Sequence, residues 1–435
     1  MSALARYCMQ QNIPIAGYDK TPHLQSKKLE ADGVQLVYDA HRESIPKNFT
    51  QKNTLVVYTP AVPKTHDQLL FFQDQGNRVI KRAQFLAELS NSYTSFAIAG
   101  THGKTTTSSM LAHVLQFCKQ EPWAFLGGIA NNFKSNFVAG NSDKMVLEAD
   151  EFDRSFLYLK PSFCLIANTE ADHLDIYGSE EQLMSSFNDL AQITKENRGK
   201  LICHDKVQLN ADFTYGKNGD YQLVSKKYEN GYQHLTIKNP QGESAIARLS
   251  LPGDHNAENA LGAAALAHLS GCDWQEVSAS FESFLGVYRR FDVHINTGSH
   301  AYVDDYAHHP TEIKAAIQGF KELRPNDQLL LVFQPHLFSR TRDFMSEFAE
   351  ALSMADALFL LDIYPAREEP IEGISSSALL ELCSLRDKKL LSKQNLLEEI
   401  ENKSKNFSVM TLGAGDIDAL VPEISESLKA SWDEK

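Results

Sequence analysis

The turn Gly100-Thr-His-Gly103-Lys104-Thr105 constrains this chain more than any other stretch. An apolar run, Phe96 to Ala99, precedes it and reads as a buried strand. The apolar-periodic run Met110-Leu111 to Val114-Leu115 follows it and reads as a helix. Strand, glycine turn, Lys-Thr and helix together form a phosphate-binding arrangement. Glycines let backbone N–H groups curl around phosphate oxygens, the helix N-terminus adds partial positive charge, and a lysine reaches the outer phosphates. On this reading Gly100, Thr101, His102, Gly103, Lys104, Thr105 and Thr106 cradle a nucleotide, and the Thr105 hydroxyl is placed to ligate Mg²⁺. The loop is shorter than the G-x-x-x-x-G-K-[ST] form. An ordinary strand-to-helix turn with a surface lysine is therefore the competing reading.

Two further strands end in groups suited to such a site. Lys144-Met-Val-Leu147 runs into Glu148-Ala-Asp-Glu-Phe-Asp153. Phe163-Cys-Leu-Ile-Ala167 runs into Asn168-Thr-Glu-Ala-Asp-His173-Leu-Asp175. Ligands of open α/β sheets sit at the carboxyl ends of strands. A phosphate loop, a carboxylate and an acid-plus-histidine cluster are thus expected at one edge. The acids suit Mg²⁺, and His173 suits a second divalent ion. Taken alone, the Glu148–Asp153 run also reads as a solvated loop or an acidic first helical turn. His173 alone also reads as a histidine held by a local carboxylate.

The rest of the chain supports an α/β architecture. At 435 residues there is room for about three domains. A helix at Met1–Met9 opens the chain, and strands follow at Ile13–Asp19, Val34–Val37 and Thr54–Tyr58. Alternation of strands and helices means a parallel sheet. Asp19 ends its strand where a dinucleotide fold holds a ribose. Gln84–Ser95 reads as a helix and linker. Residues 200–250 read as antiparallel strands beside the parallel sheet. Asn256 reads as a helix cap, or with Asn259 as a purine contact, before an alanine-rich helix. Arg289-Arg290 can clamp phosphate or pair on the surface. The last segment is again α/β, with Asp304-Asp-Tyr-Ala-His308-His309 and Gln334-Pro-His336 to Arg342 after strands. His308-His309 reads as a site or as cap and packing residues. Gly413-Ala-Gly415 reads as a tight turn.

Charge and cysteines narrow the function classes. The net charge of −14 does not favour nucleic acid as a partner. Six scattered cysteines with no CxxC point to free thiols in a reducing compartment. No run approaches the ~18 apolar residues of a membrane span, and no signal peptide is evident. A cytoplasmic protein without membrane insertion is the expectation.

Together the motifs resemble the Mur ligase family. The matching stretches are Gly100–Thr107, Glu148–Glu151, Glu170–Asp175, Gly253–Asn256 with Asn259, Arg289–Asp292, Asp304–Glu312 and Phe333–Arg342, in family order. The resemblance implies three domains: 1–90, Rossmann-like, for a UDP-sugar; 91–294, a P-loop ATPase-like α/β domain; and 295–435, Rossmann-like, for an amino acid. It implies ATP-dependent ligation of L-alanine to UDP-N-acetylmuramate through an acyl phosphate, in peptidoglycan precursor synthesis. It implies ATP and Mg²⁺ at two sites. Lys104 then binds phosphates, Thr105 and Glu148 hold the first metal, and His173 serves the second. Asn259 meets adenine, Arg290 the transferring phosphate and Asp305 the ribose. Tyr306, His308 and Arg340 bind the incoming alanine, and His102 and Asn132 line the sugar-nucleotide channel. Lys104, His173, Arg290 and His308 carry the catalysis.

Two departures from the family pattern stand out. The first strand and its glycine loop are absent, and Met1-Ser-Ala-Leu-Ala5 matches the helix that follows them. The expectation is a start codon assigned too far downstream, or a truncated form. Leu337 stands where many members carry an arginine near the alanine site. Three other readings compete: a recycling ligase that adds a tripeptide to the same sugar nucleotide, a non-catalytic nucleotide-binding relative, and a generic P-loop motor or GTPase. The sequence gives no oligomeric state.

Overall fold

The computed structural model describes residues 1–170, 177–366 and 368–433 of the 435-residue chain. Helix α1 (Ser2–Gln10) buries Ala3, Leu4, Tyr7 and Cys8, which share one stripe at three- and four-residue spacing. Two separate parallel pairs follow: β1 (Ala16–Tyr18) with β2 (Gln35–Val37), and β3 (Val56–Tyr58) with β4 (Val79–Lys81). Tyr7 anchors α1, its ring edge-on to Trp123 at 5.4 Å and to Phe137 at 6.4 Å.

The central sheet has ten strands. They are β5 (Thr94–Ala99), β6 (Trp123–Ala130), β7 (Ser135–Val138), β8 (Lys144–Glu148), β9 (Phe163–Ile166), β10 (Lys200–His204), β11 (Phe213–Gly216), β12 (Tyr221–Glu229), β13 (Tyr232–Lys238) and β14 (Ser244–Leu249). Their order is β14-β13-β12-β11-β10-β9-β5-β8-β6-β7. β5 lies parallel between β8 and β9. Phe96 to Ala99 are fully buried, as a strand covered on both faces must be, so the run is continuously apolar rather than alternating. Helix α2 (Lys104–Phe117) follows β5 and packs on β6 and β8.

The expectation of antiparallel strands over 200–250 is corrected for the first two of them, since β12, which holds Gln222–Val224, pairs parallel with β11. β10 pairs parallel with both β9 and β11 and so extends the parallel sheet. Its connection from β9 includes helix α3 (Glu180–Glu196), the kind of crossover that parallel pairing requires. The antiparallel pair β6–β7 at the sheet edge was not anticipated, because Gly127-Gly128 and Asn131-Asn132 interrupt its strand signal.

Helix α4 (Asp254–Leu269) precedes a second sheet. Its strands are β15 (Asp292–Asn296), β16 (Ala301–Asp305), β17 (Leu329–Phe333), β18 (Ala357–Leu360), β19 (Lys388–Leu390) and β20 (Ser408–Leu412), in the order β15-β16-β20-β17-β18-β19. All neighbours pair parallel except the edge strand β15. Alternate residues feed two cores: Leu329, Leu331 and Phe333 one, Leu330 and Val332 the other. Cover on both faces is the doubly wound arrangement. Helix α5 (Pro310–Leu323) covers one of them.

The chain divides into two compact units. One comprises Met1–Ser225, Thr236–Ala247 and Asn259–Phe284, and the other Lys226–Leu235, Arg248–Glu258 and the chain from Leu285 on. Gly413-Ala-Gly415 is a tight turn that makes room for Gln334. A Cβ on Gly413 would lie 2.6 Å from the Gln334 carbonyl oxygen, and one on Gly415 2.4 Å from its Oε1. All six cysteines are free and buried. No described helix is long and apolar enough to cross a membrane.

Candidate functional site

Because β9, β5 and β8 are adjacent and parallel, their carboxyl ends share one edge. The glycine turn leaves β5 there. Gly100 has φ +133°, and a Cβ on it would sit 3.1 Å from the Asn168 nitrogen. Gly103 has φ +81°, and a Cβ would sit 2.6 Å from Asn259 Oδ1. Both positions need glycine for conformation and for space. Gly103 is also the N-cap of α2, and no side chain caps the helix. The first-turn N–H groups, which have no partner within the helix, are therefore presented for an anion.

Lys104 and Glu148 face this turn. Lys104 Nζ donates to the Gly100 carbonyl at 2.7 Å and meets both Glu151 oxygens, at 2.7 and 3.0 Å. Glu151 is fully buried. Burial alone would lower the Lys104 ammonium, but Glu151, Asp150 and Glu148 outweigh it and hold the group above the usual lysine value. Glu148 accepts from the Thr105 and Ser108 hydroxyls, each at 3.2 Å, and from the Gly127 N–H. Burial pushes its carboxyl up, against the pull of Gly127, Lys104 and Thr105. A Cβ on Gly127 would lie 2.4 Å from Glu148, so bare backbone cradles the carboxylate. A carboxylate and a hydroxyl in contact are hard oxygen donors that fit Mg²⁺.

The other residues of this edge are held by the protein itself. Asn259 Oδ1 accepts from the Thr107 hydroxyl at 3.1 Å. Asn132 donates to the Ser283 carbonyl at 2.8 Å. The His102 ring lies 3.7 Å from the Glu170 carboxylate. Thr106 is buried. His173 lies outside the described residues. Asn256 belongs to the second unit; it lies inside α4 rather than capping it, and donates to the Pro252 carbonyl at 2.7 Å.

The second unit assembles another cluster after β16, β20 and β17. Its two arginines part company. Arg289 is buried, with Nε on Asp304 at 2.8 Å and a terminal nitrogen on the Gly413 carbonyl at 2.7 Å. Arg290 lies over the Tyr306 ring at 4.9 Å. Arg289 (φ +57°) and Phe291 (φ +47°) flank it in the left-handed region. Asp305 accepts from the Phe291 and Ala307 N–H groups, each at 2.6 Å. Burial raises its carboxyl to about 6, against Arg290 and those two N–H groups.

The paired histidines also divide. His309 caps α5: it accepts from the Thr311 N–H, and Glu312 completes a capping box. His308 Nδ1 lies 3.0 Å from the Tyr306 carbonyl, so Nδ1 carries the proton and Nε2 the lone pair. Its ring is 6.1 Å from that of His336, whose Nδ1 is 3.4 Å from Arg340. Burial lowers His308 and brings His336 down to about 4, the latter helped by His308 and Arg340. Both rings are neutral at pH 7. Leu337, at φ +73°, opens the short helix Phe338–Asp343 that carries Arg340.

Family models match three successive segments: the "Mur ligase family, catalytic domain" over residues 1–94, the "Mur ligase middle domain" over 98–267 and the "Mur ligase, glutamate ligase domain" over 289–415. The chain belongs to the Mur ligase family. Among curated Mur ligases it is 43% identical to the UDP-N-acetylmuramate–L-alanine ligase of Flavobacterium psychrophilum, over 98% of this chain and 95% of that one. It is 40% identical to the same-named protein of Porphyromonas gingivalis, over 99% and 96%. The crystal structure of the Thermotoga maritima UDP-N-acetylmuramate-alanine ligase superposes with a TM-score of 0.83 at 26% identity, covering 99% of this chain and 97% of that one. A murein peptide ligase from Psychrobacter arcticus shares the fold, with a TM-score of 0.68 at 21% identity and coverage of 98% and 96%.

Within this Mur ligase edge, sequence reasoning gave no role to Ser108, Gly127 and Asn168, and read Glu151 as one of the acids suited to Mg²⁺ rather than as the partner of Lys104. Ser108 was findable, since it lies one helical turn beyond Thr105. Nothing local marks the partners of Gly127, Glu151 and Asn168, which are 21 to 67 residues away in sequence.

Proposed function

We propose that the chain joins the amine of L-alanine to the carboxyl of UDP-N-acetylmuramate, converting ATP to ADP and phosphate. The observation that carries this is 43% identity over 98% of the chain to a relative bearing that name, together with the uncapped, lysine-bearing helix start at Gly103. A carboxylate is a poor electrophile, so ATP first phosphorylates it. The acyl phosphate is then attacked by the amine, and the tetrahedral adduct expels phosphate.

Each residue role follows from its chemistry. Lys104 and the first N–H groups of α2 hold the ATP phosphates. Thr105 and Glu148 would hold Mg²⁺, with His173 serving a second ion; bound there, the metal neutralises phosphate charge. Asn259 takes the adenine, Asp305 the ribose and Arg290 the transferring phosphate. His102 and Asn132 take the sugar nucleotide. Arg340 forks onto the alanine carboxylate. Tyr306, whose ring is 5.2 Å from that of His308, lines the alanine site, and the Nε2 lone pair of His308 takes the proton that the alanine ammonium must lose. The domain limits 1–90, 91–294 and 295–435 are our division. Six buried free thiols support a cytoplasmic setting.

The test is phosphate release from ATP with Mg²⁺ and UDP-N-acetylmuramate, with and without L-alanine. Release that needs both substrates is expected. Release with the tripeptide but not with alanine, or ATP binding without turnover, would sink the reading.

A further inference from the structure

Asn168 is absorbed by none of the roles above, yet it is fastened to the phosphate loop in both directions. It stands two residues past the end of β9. Its Oδ1 accepts from the Thr101 hydroxyl at 2.6 Å and from the His102 N–H at 3.0 Å. Its Nδ2 donates to the His102 carbonyl at 3.1 Å. The side-chain amide therefore pairs with one peptide as a neighbouring strand would, by one donor and one acceptor. These two contacts also fix which way the amide points.

The pairing has a consequence for the anion site. The N–H of His102 is already engaged, so the donors offered to phosphate begin beyond it, at Gly103 and the start of α2. The turn between Gly100 (φ +133°) and Gly103 (φ +81°) contains just two residues with side chains, and Asn168 holds both. A glycine-bracketed loop is otherwise the costliest kind of segment to order, because glycine loses the most conformational freedom. Ordering it before the ligand arrives removes that cost from binding.

We propose that Asn168 is a positioning residue for ATP: it pre-sets the phosphate loop through the His102 peptide and the Thr101 hydroxyl. This rests on the reading of the loop as an ATP site. Asn168→Asp tests it with almost no change of shape. The carboxylate keeps the acceptor for Thr101 and the His102 N–H, but turns a second acceptor on the His102 carbonyl.

ATP affinity of the full chain, measured by calorimetry at pH 8.5 and pH 6 with Mg²⁺, is the readout. N168D is expected to bind at least tenfold more weakly than wild type at pH 8.5. An aspartate of ordinary pKa, about 3.9, is still ionised at pH 6, so about the same gap is expected there, with KM for alanine within twofold of wild type. Thr101→Val, which removes one contact, is expected to lose about threefold at both pH values. It also serves as the test if N168D does not fold. Equal ATP affinity of wild type and T101V, or of wild type and N168D, overturns the clamp. Absence of ATP binding by wild type overturns instead the reading on which the clamp rests.

Discussion

At the scale of single residues, chemically identical neighbours do different work. Arg289 and Arg290 are adjacent, but one is buried against Asp304 and the other lies over Tyr306. Removing one partner of a buried pair leaves an uncompensated charge, which costs about 3–5 kcal/mol. Arg289→Ala should therefore lower the unfolding free energy by about that much in a denaturant titration. Arg290→Ala should leave the titration nearly unchanged while abolishing most phosphate release. Asp305 supplies a pH test. Its folded-state carboxyl titrates near 6 against an ordinary 3.8, so the folded form binds this proton more tightly. The resulting stability is fully present below about pH 4 and is lost as pH rises through 6. A rise of roughly two pKa units at ~1.4 kcal/mol each amounts to about 3 kcal/mol. Between pH 4 and 7 wild type should lose about that much relative to Asp305→Asn, and parallel profiles would contradict the assignment. The bare pairs did not carry these distinctions; only the family resemblance singled out Arg290, Asp305 and His308. Arg-Arg, Asp-Asp and His-His name residue types, and burial decides which member of each pair reaches the site.

At the scale of elements, the sequence spoke clearly where a strand is buried on both faces and ends in a turn. β5 and its glycine turn, β8 with Glu148, and β17 were all readable, because continuous apolar runs and glycine at positive φ are local signals. Strand direction was not local: β10 is parallel only because α3 intervenes. Gly127 in β6 went unremarked, since a glycine in a strand gives no hint that a carboxylate 21 residues on will need its space. Gly127→Ala should displace Glu148, because the new Cβ would lie 2.4 Å from it. We expect the magnesium concentration for half-maximal phosphate release to rise at least tenfold, with far-ultraviolet circular dichroism unchanged. An unaltered magnesium requirement would separate Glu148 from the metal.

At the scale of the whole molecule, three family segments are packed as two compact units. Motif order along the chain was enough to announce the family, but packing density is not written in motifs. The phosphate loop belongs entirely to one unit. Scanning calorimetry should resolve two transitions, with ATP raising the one that carries the loop by RT ln(1 + [ATP]/Kd), about 2.7 kcal/mol at one hundred times Kd. Equal displacement of both would show that the units unfold as one. A last consequence follows from Lys104, whose ammonium rests on the buried carboxylate of Glu151. The loop carries its own counter-ion. Phosphate oxygens reach the Lys104 ammonium only in exchange for that carboxylate. Binding there is thus an exchange of one oxygen partner for another, in which the buried ammonium is never left bare.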